Sequence, residues 1–149
     1  MQLPSIASDI PHVIQLSVAP VFLLSGVGVT LGVLATRLGR IIDRARLLEQ
    51  RMPTSAGAVH EAVAEELRTL AHRAKLINRA ITLCVACALC VCLLIATLFV
   101  GALLGLGLVA LLAALFIASM LALIGGYLSF LREIFLATHS LRFGGPHAH

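Results

Sequence analysis

Three apolar runs, residues 13–36, 80–101 and 108–131, constrain this chain more than any other feature. An α-helix rises about 1.5 Å per residue, so each run is long enough to cover about 30 Å of hydrocarbon. No Asp, Glu, Lys or Arg occupies the central part of any run. In lipid every backbone N–H and C=O must find a partner without water, and a helix does this within its own segment. Composition agrees. The chain is 60% hydrophobic and 12% charged, with a mean hydropathy of +1.03. A soluble domain carries about 25% charged residues, so this chain has too little polar surface to face water throughout. The sequence predicts an all-α integral membrane protein with three transmembrane helices.

Orientation follows from the basic residues. None precedes Arg37, nine lie between Arg37 and Arg79, and two, Arg132 and Arg142, follow the last apolar run. The positive-inside bias then places residues 37–79 and the tail 132–149 in the cytoplasm. Segment 1–12 is external and, lacking a positively charged leader stretch, reads as uncleaved. Residues 102–107 form a short external turn between the second and third spans. The expected location is a bacterial plasma (inner) membrane, multi-pass, with the lipid bilayer and its anionic headgroups as first partners.

The cytoplasmic segment has its own periodicity. Leu38, Ile41, Ala45, Leu48 and Met52 recur by threes and fours, and so do Val63, Leu67, Leu70, Ala74, Ile77 and Ile81. These are heptad a and d positions, as in a coiled coil. Pro53 and Gly57 punctuate a turn at residues 52–57. The expected structure is a cytoplasmic antiparallel helical hairpin continuous with spans one and two, projecting about 20–30 Å.

Small residues mark a second face of span one. Ser17, Val21, Ser25, Gly28, Gly32, Ala35 and Gly39 advance by threes and fours, and Ala110, Ala114, Ala118, Ala122 and Gly126 do the same in span three. Lipid supplies little hydrophobic drive between helices, so close backbone approach must replace it. Ser17, Ser25, Gly28, Gly32, Ala35 and Gly39 are therefore the candidate pore or packing face, and a homo-oligomer is the expected assembly. Packing within one chain is the alternative. Pro20 leaves a carbonyl unpaired and predicts a kink, with Ser17 near enough to help satisfy freed groups. A proton-coupled carrier would need a buried ionisable group that the spans lack, whereas passive conduction would not.

Charged and metal-binding candidates are few. Arg37, Arg40, Asp43, Arg44 and Glu133 form a cytoplasmic charged cluster, and Arg37, Arg40, Arg44 and Arg51 share one stripe. The stripe reads as a solvated face anchored to anionic headgroups, or as a ring of arginines at a pore mouth. Glu133 lies level with Arg37, Arg40 and Arg44, and an ion pair there would lock span three to the base of the hairpin, with gating as the alternative role. Cys84, Cys87, Cys90 and Cys92 contain a C-x-x-C. At 100° per residue their thiols spread over more than half of a helix circumference, so packing is the expected role and a metal or redox site the lesser one. His147 and His149 in the tail are a weak metal pair. No metal site, cofactor, nucleic-acid partner or nucleophile–base pair is expected, and the chain is not read as an enzyme.

Segment 19–49, APVFLLSGVGVTLGVLATRLGRIIDRARLLE, with LINRAI at 76–81 and FLREIFLA at 130–137, resembles a family of small bacterial membrane proteins known as domain of unknown function 2721. The resemblance covers roughly residues 10–140, with Arg37, Arg40, Asp43, Arg44 and Glu133 at its charged positions. It implies three spans and a cytoplasmic hairpin, and no reaction or substrate. The functional expectation is a homo-oligomeric pore or channel-like assembly lined by span one. The competing expectation is a non-conducting scaffold or adaptor whose hairpin binds a cytoplasmic protein partner. Orientation can be tested directly: cysteines introduced at Ser5 and Ala148 should react with an impermeant thiol reagent from opposite faces of an intact membrane. Reaction of both from one face would mean an even number of crossings.

Overall fold

A computed structural model describes residues 4–52 and 57–142, with side chains for residues 10–52 and 57–137. The chain is all-α: α1 (Pro4–Arg51), α2 (Ala58–Leu104) and α3 (Val109–Arg142). All three are long and apolar enough to cross a membrane. Only 11%, 22% and 11% of their most apolar stretches is buried within the chain, and the rest is left for lipid or for other chains. These features make it a multi-pass membrane protein. Residues 1–3, positions 53–56 of the turn expected at 52–57, and His147 and His149 lie outside the described residues.

The helices are bounded by glycine chemistry. Gly105 follows the end of α2 at φ +64°, and the Leu106 N–H donates to the Gly101 carbonyl at 3.0 Å. A left-handed residue just past the helix end, with the next N–H reaching back to the last turn, is a Schellman cap. Gly57, at φ +62°, opens α2: its carbonyl accepts from the His60 N–H at 3.0 Å. Helix α2 runs to Leu104, so only a few residues separate it from α3.

Helix α1 passes through both Pro11 and Pro20 without a break. Proline at position 20 removes the donor for the Leu16 carbonyl. The Ser17 hydroxyl does not replace that donor, because it donates to the Ile14 carbonyl at 2.8 Å. The sequence expectation for Ser17 is corrected to that extent.

Two compact units divide the chain. The first comprises residues 1–31 and 83–124, and the second residues 32–82 and 125–149. In the first, Val13, Ser17 and Val27 of α1 are buried, as are Cys84, Cys87, Val91 and Leu94 of α2 and Ser119 of α3. In the second, buried side chains include Leu34, Ile41 and Leu48 of α1, Leu70, Ile77 and Ala80 of α2, and Glu133 of α3. Here α1 and α2 run antiparallel: Arg44 pairs with Glu66, while Arg37 and Arg73 meet on one carboxylate.

The buried face of each helix keeps the three-and-four spacing along its length. Leu34, Ile41 and Leu48 are seven apart, and Val27 precedes them by seven. On α2 the series Leu70, Ile77, Cys84 and Val91 does likewise, interleaved by Ala80, Cys87 and Leu94. This repeat follows from 3.6 residues per turn: only positions three, four and seven apart share a face. The heptads read in residues 38–52 and 63–81 are thus pieces of longer series. Leu34 is wholly buried whereas Leu47 is exposed. Leu34→Ala should therefore cost about 2–4 kcal/mol in detergent-solubilised unfolding, and Leu47→Ala less than about 0.5 kcal/mol.

Candidate functional site

One polar cluster is built into the second unit. Glu133 of α3 has only 1% of its side chain exposed, and both of its oxygens are engaged. Arg37 of α1 donates from Nη1 to Oε2 at 2.6 Å. Arg73 of α2 donates to Oε1 from Nε at 3.2 Å and from Nη2 at 2.9 Å, a forked contact. The Arg37 guanidinium also lies over the Phe130 ring, 5.2 Å from its centroid, close enough for a cation–π attraction. Among the described residues no buried side-chain nitrogen or oxygen lacks a hydrogen-bond partner.

Three helices reach this point because each carries its charged residue on its buried face. Arg37 lies three after Leu34 and four before Ile41; Arg73 lies three after Leu70 and four before Ile77. Glu133 is seven after Gly126, itself buried. The apolar bodies of these arginines can pack in the seam while their heads meet. Glu133 would be costly to bury alone, since a charge leaving water loses several kcal/mol that only close, hydrogen-bonded partners recover.

Arg40 and Arg44 line the same cavity as Arg37, Arg73 and Glu133. Arg44 is held from outside by Glu66 Oε1, at 3.0 Å from Nε and 2.8 Å from Nη2. Arg40 is exposed and has no carboxylate partner among the described residues. Asp43 is exposed and does not line the cavity. The charged cluster read from sequence therefore divides, with its four basic and acidic members Arg37, Arg40, Arg44 and Glu133 together and Asp43 apart. Arg73 was not among the sequence candidates. Its signal was present, because it is a basic residue of α2 set at seam spacing from Leu70 and Ile77.

The candidate pore or packing face is placed differently from the buried seam. Ser17 is buried, Ser25, Gly28, Gly32 and Ala35 are exposed, and Gly39 is half-buried. A Cβ built on Gly28, Gly32 or Gly39 would meet nothing within 4 Å. The Ser25, Thr30 and Thr36 hydroxyls donate to carbonyls one turn back in α1, at 3.4, 3.0 and 2.9 Å. On α3, Ala110, Ala114 and Ala118 are exposed, Ala122 is half-buried and Gly126 is buried.

The cysteines point in different directions: Cys84 and Cys87 are buried, Cys90 is half-buried and Cys92 is exposed. Among the described residues no three His, Cys, Asp or Glu side chains could together hold a metal ion.

Comparison with known families matches residues 17–143 to a family described as "Protein of unknown function (DUF2721)". No curated protein and no solved structure matches the chain.

The two kinds of ion pair should separate in measurement. Glu133→Gln leaves two arginines without their shared carboxylate in a buried setting and should cost about 3 kcal/mol. Glu66→Gln breaks a pair whose side chains are 54% and 42% exposed, and should cost less than about 1 kcal/mol. Chemical denaturation of both variants in the same detergent is the measurement.

Proposed function

This chain belongs to the DUF2721 family, and from that premise we propose that it works as a homo-oligomeric, pore-like assembly in a plasma membrane, without enzymatic activity. The observation that supports this reading is the uncovered face of α1. Gly26, Gly28, Gly32 and Gly39 have open space where a Cβ would stand, and Ser25 and Ala35 are exposed beside them. A surface meant for lipid alone gains dispersion contacts from large side chains, whereas small ones favour approach of another backbone. In this reading a second copy covers the face, and α1 helices from several copies surround a path. Arg40, exposed and without a carboxylate partner among the described residues, stands at the cytoplasmic mouth and favours anions by raising their local concentration.

A second reading, a non-conducting scaffold whose cytoplasmic hairpin binds a protein partner, is favoured by one specific observation. The hydroxyls of Ser25, Thr30 and Thr36 donate to their own helix backbone, a common bond of Ser and Thr within helices. Their protons are then turned away from a passing anion.

Gly28→Leu and Gly32→Leu should reduce the size of the detergent-solubilised particle by holding backbones apart. Protein reconstituted in liposomes should pass small anions, and Arg40→Glu should shift selectivity towards cations. An intact oligomer that stays electrically silent at all voltages and membrane tensions would transfer the assignment to the scaffold reading. Unchanged particle size in both glycine variants would remove the α1 interface.

A further inference from the structure

The geometry points to a binding site for a phosphate group, of a lipid headgroup or of a soluble phosphate ester, in the cavity lined by Arg37, Arg40, Arg44, Arg73 and Glu133. The cavity is about 280 Å³, near the lower end of small-ligand pockets at roughly 300 Å³, and every residue lining it belongs to the second compact unit. The inference stands whether or not the assembly conducts.

Charge balance is the first argument. Four guanidiniums line the cavity, and two carboxylates, Glu133 and Glu66, are engaged with three of them. Two positive charges remain without a paired carboxylate among the described residues. Arg37, Arg40 and Arg44 are also three, four and seven apart on α1, so like charges crowd one helix face, which is unfavourable in the absence of an anion.

Donor capacity is the second. A guanidinium carries five N–H donors. Arg37 gives only Nη1 to Glu133, and Arg73 gives Nε and Nη2. Arg44 gives Nε and Nη2 to Glu66. Each keeps donors in reserve, and Arg40 keeps all of its own as far as the described residues go. Glu133 and Glu66 fix the directions of three of these groups, so less rotamer freedom is lost when an anion arrives.

Oxygen count selects the ligand. A carboxylate offers two oxygens in one plane, with about four acceptor sites, and Glu133 already turns three of its own to two arginines. A halide offers no directional acceptors and is far smaller than the cavity. A phosphate group presents several oxygens in three dimensions and can accept from several forks at once. Arg37 and Glu133 closely follow the apolar runs 13–36 and 108–131, a position that would suit a lipid phosphate, while the cavity's size also admits a soluble phosphate ester.

The experiment is thermal unfolding of the full-length protein in a neutral detergent. Three probes are titrated: inorganic phosphate, glycerol 3-phosphate and water-soluble dihexanoyl phosphatidylglycerol, the last compared with dihexanoyl phosphatidylcholine. Sodium chloride at matched ionic strength is the screening control. A saturable rise in Tm of several degrees is expected with the soluble phosphates, identifying a soluble ester, or with phosphatidylglycerol alone, identifying a headgroup. Arg40→Gln leaves both ion pairs of Glu133 in place and should weaken the apparent affinity about tenfold, one charge-assisted contact being lost. Arg40→Lys, which keeps charge without the fork, should fall between. Lys75→Gln removes the same charge away from the cavity and should change nothing. A rise reproduced by sodium chloride, a rise unaltered in Arg40→Gln, or no rise in well-folded protein would each overturn the inference.

Discussion

The carboxylate of Glu133 ties together α1, α2 and α3 within the second unit. Its burial carries a desolvation cost that only well-placed cations offset, and both oxygens are used. Arg73 approaches as a fork and Arg37 as a single short contact steadied by Phe130. Apolar seams tolerate sliding by one heptad, because each layer resembles the next. A charged contact does not, since a shift of seven residues would bury three charges apart from one another. The triad thus fixes the register of three helices whose buried seam is otherwise mostly apolar, a role best attested for buried polar groups in helical assemblies.

The same register governs what stays uncovered. With Leu34, Ile41 and Leu48 turned inward, Arg40 and Arg44 follow Arg37 along the edge of the seam and open onto the cavity. Gly28 and Gly32 fall on a part of α1 where a Cβ would meet nothing within 4 Å among the described residues. One helix therefore carries three functions of position: an apolar seam, a basic edge and a small-residue face. Each needs residues three, four and seven apart, and the three sets coexist because they are offset around the helix axis.

Much of this was legible in the residues themselves. Three helices able to cross a membrane follow from the apolar runs, since lipid leaves the backbone no partner but itself. Gly57 marked the start of α2, and the spacing of Ile41, Leu48, Leu70 and Ile77 marked the seam. Glu133 could be matched to the arginines of α1 because it is the acid at the end of the third run. The sequence did not show which arginine it takes, nor that Arg73 joins it. Nor did it separate the seam from the small-residue face, because both repeat by threes and fours.

Periodicity along a helix determines which residues share a face, and the sequence alone therefore determined that there are three long helices and the membership of each stripe. It does not determine which stripe turns inward, because that depends on the neighbours' shapes and charges summed over all three helices. Tertiary structure decided that the aliphatic stripe is buried and the glycine stripe left open. It also decided that Arg37 and Arg73, sixty and more residues from Glu133 in the chain, converge on it, since a carboxylate taken out of solvent is stable only where its counter-charges come with it.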